Sequence, residues 1–260
     1  MLLAFTRAVS PRIEQCELTH LARTPIDYAR AVEEHDAYEA LLTRLGCRVE
    51  RVPDAPDLPD SVFVEDTAVV FDRIAVIARP GAQSRRPEVA AMETALRRYR
   101  TLARIEPPGT LDGGDVLVTP GTVFVGVGGR TNVDGVRQLT AHVAPHGFEI
   151  VPVHVRECLH LKSAVTAVAL APPAGKSALV INPAWVDAAH FAAFDLIDVD
   201  PAEPAAANVL LINGTVICPA EHPRTRRLIE ARGFVTESVP AFELAKAEGG
   251  LTCCAVLVAT

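Results

Sequence analysis

Apolar and polar positions along the chain fall into a recurring order. Short runs of β-branched and apolar residues come in pairs separated by tight turns. "TAVVF-DR-IAVIARPG" covers 67–81, "DVLVT-PG-TVFVG" covers 115–126 and "NVLLI-NG-TVICPA" covers 208–220. Asn-Gly between two such runs is a strong signal for a two-residue hairpin turn. "SAVTAVAL-APPAGK-SALVINP" (163–183) has the same form with a longer loop. A fifth run, "CAVLVAT", ends with the chain before a second arm can form. Helix-like segments lie between the hairpins: "DYARAVEEHDAYEALLTRLG", "PEVAAMETALRRY", "NVDGVRQLTAHVAPHG", "VDAAHFAAF" and "RTRRLIEARG". Three of them close on a glycine, as helices often do. Each is followed by a short extended run: "CRVERVP", "TLARIEPP", "FEIVPVHV", "FDLIDVD" and "FVTESVP".

The order helix, strand, loop, hairpin therefore occurs five times. The polar residues preceding the first arms are Asp66, Asp115, His160, Asn208 and Cys253, at intervals of 49, 45, 48 and 45 residues. Regular self-similarity at such a period is the signature of a repeat architecture. The N-terminal run "LLAFTRAV" has no partner of its own and can serve as the missing arm of the fifth hairpin. The pattern predicts an α/β fold: a fivefold pseudosymmetric α/β propeller, a ring of five ββαβ units closed by pairing of the N- and C-terminal segments, with residues 1–260 as one domain. An ordinary α/β domain with irregular spacing is the competing reading.

A ring changes the chemistry that can be read. Loops before the first arms converge at one end of the axis. "DGGD" (112–115), His160 and Cys253 would then meet although they are far apart in sequence. In an extended segment Cys253 and Cys254 would point to opposite faces, one thiol toward the axis and one into the wall. Gly249 and Gly250 would let the backbone there approach closely. A cysteine thiolate is a strong nucleophile, and an imidazole both donates and accepts protons near neutrality. Cys253 and His160 are thus the candidate nucleophile and acid/base. Slot spacing alone fits Cys254 equally well. Cys47, Cys218 and Cys254 read as buried small residues, and the remaining histidines as solvated or capping. The acidic residues Asp60, Glu65, Asp66, Asp112 and Asp115 gathered about a concave axis would bind a cation, and a planar guanidinium best.

Composition narrows the class further. The 260 residues are 49% hydrophobic with a formal net charge of −7, which argues against a nucleic-acid partner. "MLLAFTRAVSPRIEQ" lacks the charged start and cleavage site of a secretion signal. No run approaches the roughly 18 apolar residues of a membrane span. The expectation is a cytoplasmic chain with its six cysteines reduced. The absence of any C-x-x-C pair argues against structural zinc.

"DSVFVEDTAVV", "ARPGAQSRR", "GTLDGGDVL", "GGRTN", "LHLKSAV", "AANVLLINGTVICP" and "GGLTCCAVL" together resemble the dimethylarginine dimethylaminohydrolase family, in that family's order and from about residue 18 to the end. The family is one of guanidino-group-modifying enzymes with the pentein fold, a fivefold α/β propeller. The resemblance implies hydrolysis of Nω-methylated arginines, asymmetric dimethylarginine and monomethylarginine, to citrulline and dimethylamine or methylamine. It implies no cofactor and no metal, and it is compatible with a homodimer. Cys253, which matches the family's single cysteine, would attack the guanidinium carbon. His160 would protonate the leaving amine and then activate water, with Asp112 orienting it. Asp60, Glu65 and Asp66 would hold the guanidinium, Arg85 and Arg130 the α-carboxylate, and Leu18 would belong to a lid. Thr252, beside the nucleophile, joins the substrate-binding set. Two rivals share these features: an arginine deiminase-like hydrolase, and a non-catalytic binding protein on the same ring. Deiminases resemble "HLD" where this chain has "HLK", so Lys162 favours the methylarginine enzymes over the first rival.

Overall fold

The computed structural model describes residues 1–170 and 177–260. The loop 171–176, assigned above to the fourth hairpin, lies outside the described residues. In chain order the regular elements are β1 (Leu2–Thr6), α1 (Tyr28–Arg44), β2 (Cys47–Arg51), β3 (Ala68–Val70), β4 (Ile74–Ile77), α2 (Val89–Leu96), β5 (Thr101–Arg104), β6 (Val116–Thr119), β7 (Thr122–Val127), α3 (Val133–Val143), β8 (Glu149–His154), α4 (Leu161–Ala164), β9 (Val165–Ala169), β10 (Ala178–Ile181), β11 (Asp195–Asp198), β12 (Leu210–Ile212), β13 (Thr215–Pro219), α5 (Pro223–Ala231), β14 (Val235–Val239), α6 (Phe242–Ala245) and β15 (Val256–Ala259).

Among the described residues the strands form five three-stranded sheets, β3-β4-β5, β6-β7-β8, β9-β10-β11, β12-β13-β14 and β15-β1-β2. Each is an antiparallel pair joined by a parallel third strand, the pair being a hairpin in the first four. The fifth sheet closes the ring as the sequence pattern required: β1 pairs with β15, Leu2 opposite Ala259 and Phe5 opposite Val256. Turn chemistry fixes the hairpins locally. Asn213 and Gly214 take φ of 48° and 84°, the two positive values that a type I′ turn demands.

Hydrophobic residues from neighbouring sheets interdigitate, so the core is divided among the seams of the ring. Leu3 and Phe5 of β1 pack with Ala75 and Ile77 of β4 and with Met92 and Leu96 of α2. Val76 of β4 packs with Val123 and Val125 of β7, and Phe124 of β7 with Leu179 and Ile181 of β10. Val180 packs with Val216 of β13, and Ile217 returns to Ala4 of β1 and to Tyr38 and Leu42 of α1. Strands β3, β6, β9, β12 and β15 line a central cavity of about 210 Å³ walled mainly by valine, leucine and alanine. Among the described residues no helix is long and apolar enough to cross a membrane.

Three expectations need correction. "VDAAHFAAF" forms only a 3₁₀ turn, Ala188–Phe191. Asp187 accepts the Ala189 N–H at 2.9 Å, a local side-chain bond that favours a turn over a continuing helix. His35 is neither solvated nor capping: it is 1% exposed on the inner side of α1, its Nδ1 3.7 Å from Glu39. The polar slots, finally, are not strand starts. Val64–Thr67, Gly113–Asp115 and Thr252–Cys254 are 3₁₀ turns, and His160 is the N-cap of the one-turn helix α4. His160 therefore stands five residues before its strand and Asp115 one, and the slot intervals wander accordingly.

Candidate active site

These turns meet at one end of the ring. Residues 252–254 advance about 120° per position, as side chains on a 3₁₀ turn do, and so point three ways. The Thr252 hydroxyl donates to Glu65 Oε2 at 2.7 Å, facing the central cavity. Cys253 lines a small pocket with Asp60, Phe63, Asp66, Arg85, Arg130 and His160. Cys254 packs in the core seam shared with Tyr38. The division of the two thiols follows expectation, but a turn produces it rather than strand alternation. The glycines before them are needed: a Cβ on Gly250 would lie 2.4 Å from the Asn208 side chain. Likewise, a Cβ on Gly114 would lie 2.7 Å from His160 Nδ1 and 2.8 Å from Asp66 Oδ1.

His160 is buried among carboxylates. Its Nε2 is 3.0 Å from Asp112 Oδ2 and its Nδ1 3.8 Å from Asp66 Oδ1. Asp112 is itself held, its Oδ1 accepting the Gly81 N–H at 2.8 Å and its own N–H donating to Thr131 Oγ1 at 3.1 Å. Thr131 donates onward to Asp115, which also caps the Leu161 N–H. Burial alone would lower the His160 pKa; Asp66, Asp112 and Asp115 reverse this and raise it to about 9. Burial and the Glu65 and Asp66 carboxylates push the Cys253 thiol up to about 12. At neutral pH the pocket thus holds a thiol and an imidazolium. Asp66 is kept well below the usual carboxylate range: burial would raise it, but His160 and Arg85 outweigh that.

The other predicted residues divide into two groups. Asp60, Asp66, Arg85 and Arg130 line the pocket. Arg130 donates to Thr19 Oγ1 at 3.2 Å, while its buried NH1 has no hydrogen-bond partner. The Arg85 guanidinium is already engaged by Asp66, Glu88 and the Phe63 carbonyl. Glu65 and Thr252 stand below the pocket rather than in its lining. Glu65 Oε1 is 2.5 Å from Lys162 Nζ, and Asn208 ties Thr252 to the Lys162 carbonyl, so a hydrogen-bonded floor separates pocket from central cavity.

Leu18 packs against the core seam, and its neighbours cover the pocket. The Glu17 N–H donates to both Asp60 oxygens at 3.2 Å, and its carboxylate accepts from Ser84. The N–H groups of Thr19, His20 and Leu21 converge on the Glu248 carboxylate at 3.0, 2.5 and 2.6 Å. Glu17 and Glu248 thus line the pocket, and residues 19–21 are latched to it through Glu248. Glu17, Glu88, Thr131 and Glu248 were not foreseen. Only Glu88 carried a local signal, three residues after Arg85 in "RRPE". Ligand atoms of Asp66, Asp112 and His160 lie within 4.8 Å of one another, but Arg85 and Arg130 already supply the counter-charge that a metal ion would.

Comparison with known proteins agrees with this geometry. The arginine deiminase family model matches residues 52–203. An N(G),N(G)-dimethylarginine dimethylaminohydrolase from Streptomyces coelicolor is 41% identical over 97% of this chain and 95% of its own. One from Pseudomonas aeruginosa is 35% identical over 90% of each chain. A solved structure of the Pseudomonas aeruginosa enzyme, a cysteine-to-serine mutant in complex with citrulline, superimposes with a TM-score of 0.91 at 32% identity, over 98% of both chains.

Proposed function

Since this chain belongs to the dimethylarginine dimethylaminohydrolase family, we propose that it hydrolyses Nω-methylated arginines to citrulline and the corresponding methylamine. The observation that carries the reading is one buried pocket containing a thiol, an imidazolium between two carboxylates, and an arginine N–H that makes no hydrogen bond. The guanidinium binds against Asp66 and Asp60, and Glu65 adds its charge from beneath. Arrival of that cation offsets the carboxylates that hold the Cys253 thiol at about 12, and so favours the thiolate. Cys253 Sγ bonds to the guanidinium carbon. The His160 imidazolium gives its proton to the leaving methylamine or dimethylamine as the C–N bond breaks. The remaining adduct is a thiouronium. Neutral His160 then takes a proton from water as that water attacks the same carbon. The C–S bond breaks, and citrulline leaves a thiolate that recovers its proton. Asp112 holds the imidazole in place throughout.

Lys162 favours methylated substrate over arginine. By pairing with Glu65 it removes hydrogen-bond acceptors from the guanidinium end, which suits a guanidinium with one alkylated nitrogen. Incubation with dimethylarginine, monomethylarginine and arginine tests this directly. The first two should yield citrulline with one equivalent of dimethylamine or methylamine, and arginine should yield far less. Faster release of ammonia from arginine would favour the deiminase reading instead.

Recognition of the amino-acid end falls chiefly to Arg130, whose NH1 makes no hydrogen bond and stands 3.8 Å from Asp112, with Arg85 behind it. Hydrogen bonds to a charged partner contribute roughly 1.5–3 kcal/mol, so Arg130→Ala should raise KM about ten-fold or more with a smaller change in kcat. Esterifying the substrate carboxylate should impose a similar loss on the native enzyme and little further loss on the variant. Fully additive losses would show that Arg130 binds something else.

A further inference from the structure

Four charged side chains are buried in the pocket wall and behind it: Asp66 (2% exposed) and Arg85 (3%) in the lining, Glu88 (2%) and Arg7 (1%) behind. Burying charge is costly, and apolar residues of similar volume often serve stability as well or better. The arrangement here is directional. Glu88 grips Arg85 with both oxygens, from Nε at 3.2 Å and NH2 at 2.9 Å. Arg85 in turn donates from NH1 to Asp66 Oδ2 at 2.6 Å. Asp66 Oδ1 accepts the Gly114 N–H at 2.9 Å and faces His160 Nδ1 at 3.8 Å. Arg7 NH2 fixes the Glu88 carbonyl at 3.1 Å from the far side.

Glu88 closes the 3₁₀ turn Gln83–Glu88, which runs directly into α2 with Glu88 itself in helical backbone geometry. Its side chain makes no capping bond, and its carboxylate is directed to Arg85 instead. We propose that Glu88 is a positioning residue for catalysis: through Arg85 it sets the orientation of Asp66 and the field that Asp66 exerts on His160. The proposal rests on His160 as the acid and base of the reaction. It adds that Arg85 serves the imidazole at least as much as the substrate.

The groups facing His160 are Asp66, Asp112 and Asp115, with Arg130 and Arg85 acting on the first two from behind. Glu88→Gln keeps size and leaves one acceptor for Arg85, but removes a negative charge. Arg85 is then less compensated, Asp66 is drawn toward it, and the imidazolium loses stabilisation. His160 titrates at about 9. Glu88 is ionised there, because burial pushes it up only to about 7.

The test is a titration of the His160 ring by NMR in the full-length protein, beside thermal melting. Glu88→Gln should move the His160 midpoint down by roughly half a unit or more, by the Coulomb interaction of buried charges. The limb of kcat/KM assigned to His160 should move with it. Glu88→Asp keeps the charge and should restore most of the midpoint; it also serves if the glutamine variant does not fold, since its shortened reach should still give a smaller shift in the same direction. A lowered melting temperature with an unmoved midpoint in both variants would reduce Glu88 to a structural residue and overturn the proposal. The ring titration requires no turnover, so its outcome is separable from whether methylarginine is the substrate.

Discussion

Cys253→Ser should abolish turnover of methylarginine, while Cys254→Ser should keep most of it. The two residues are adjacent, yet the 3₁₀ turn sends Cys253 to the pocket and Cys254 into the seam beside Tyr38. A serine hydroxyl at 253 would be nearly isosteric, but it ionises far less readily than a thiol, and no base in the pocket makes up that difference. Removing the nucleophile of a covalent enzyme costs on the order of 10⁶ in kcat. Cys254→Ser trades a buried thiol for a hydroxyl that can use the Gly250 carbonyl, which the thiol already approaches at 3.6 Å. Its effect should therefore fall on stability, through a polar group in an apolar seam. Steady-state citrulline release from the two variants decides the matter. Activity that survives in the first and vanishes in the second would reverse the assignment.

The next largest effect is expected at His160. His160→Ala should remove proton transfer from both halves of the cycle, each typically worth 10²–10⁴-fold. Its signature lies in the pH dependence. In the native enzyme His160 has a raised pKa, about 9, so it is protonated and competent to expel the amine below that value. Activity should fall as pH rises through about 9 and the acid is lost. The variant has no such acid to lose. Its residual rate of attack should climb with pH toward the Cys253 value of about 12, as thiolate forms without help. Profiles of kcat, which report the substrate complex in which the thiolate is favoured, test this for both proteins. A falling limb near pH 9 that persists in the variant would assign the acid to another group.

Much of this could be read from sequence, for local reasons. The Asn213-Gly214 turn and the β-branched runs around it state a hairpin within a dozen residues. The unpaired ends of the chain state the closure between β1 and β15. Cys253, His160 and Asp112 were legible because the repeat brings three separated loops to one end, and because "LHLKS" and "LTCC" match a family. What was illegible depends on contacts across units. Glu65 looks like a free carboxylate in "FVED", and only the ring brings Lys162, ninety-seven residues later, to 2.5 Å. His35 looks exposed in "EEHDAYE" until the inner face of α1 is known. Glu88 looks like an ordinary helix start until its carboxylate is seen on Arg85. The wandering slot intervals had a local cause, the differing lengths of the turns before each strand, which hydrophobic pattern does not register.

In the proposed cycle Cys253 carries the substrate's amidino carbon after the amine has left. The most direct measurement is intact-protein and peptide mass spectrometry of the His160→Gly variant at alkaline pH. There thiolate attack remains feasible, the amine leaves slowly with a proton from solvent in place of His160, and hydrolysis lacks its base. Dimethylarginine and monomethylarginine are supplied in parallel. The same mass increment is expected from both, because the part that distinguishes them departs before the adduct accumulates, and it is expected at Cys253. Increments that differ by one methyl group, or an adduct at Cys254, would contradict the proposed cycle.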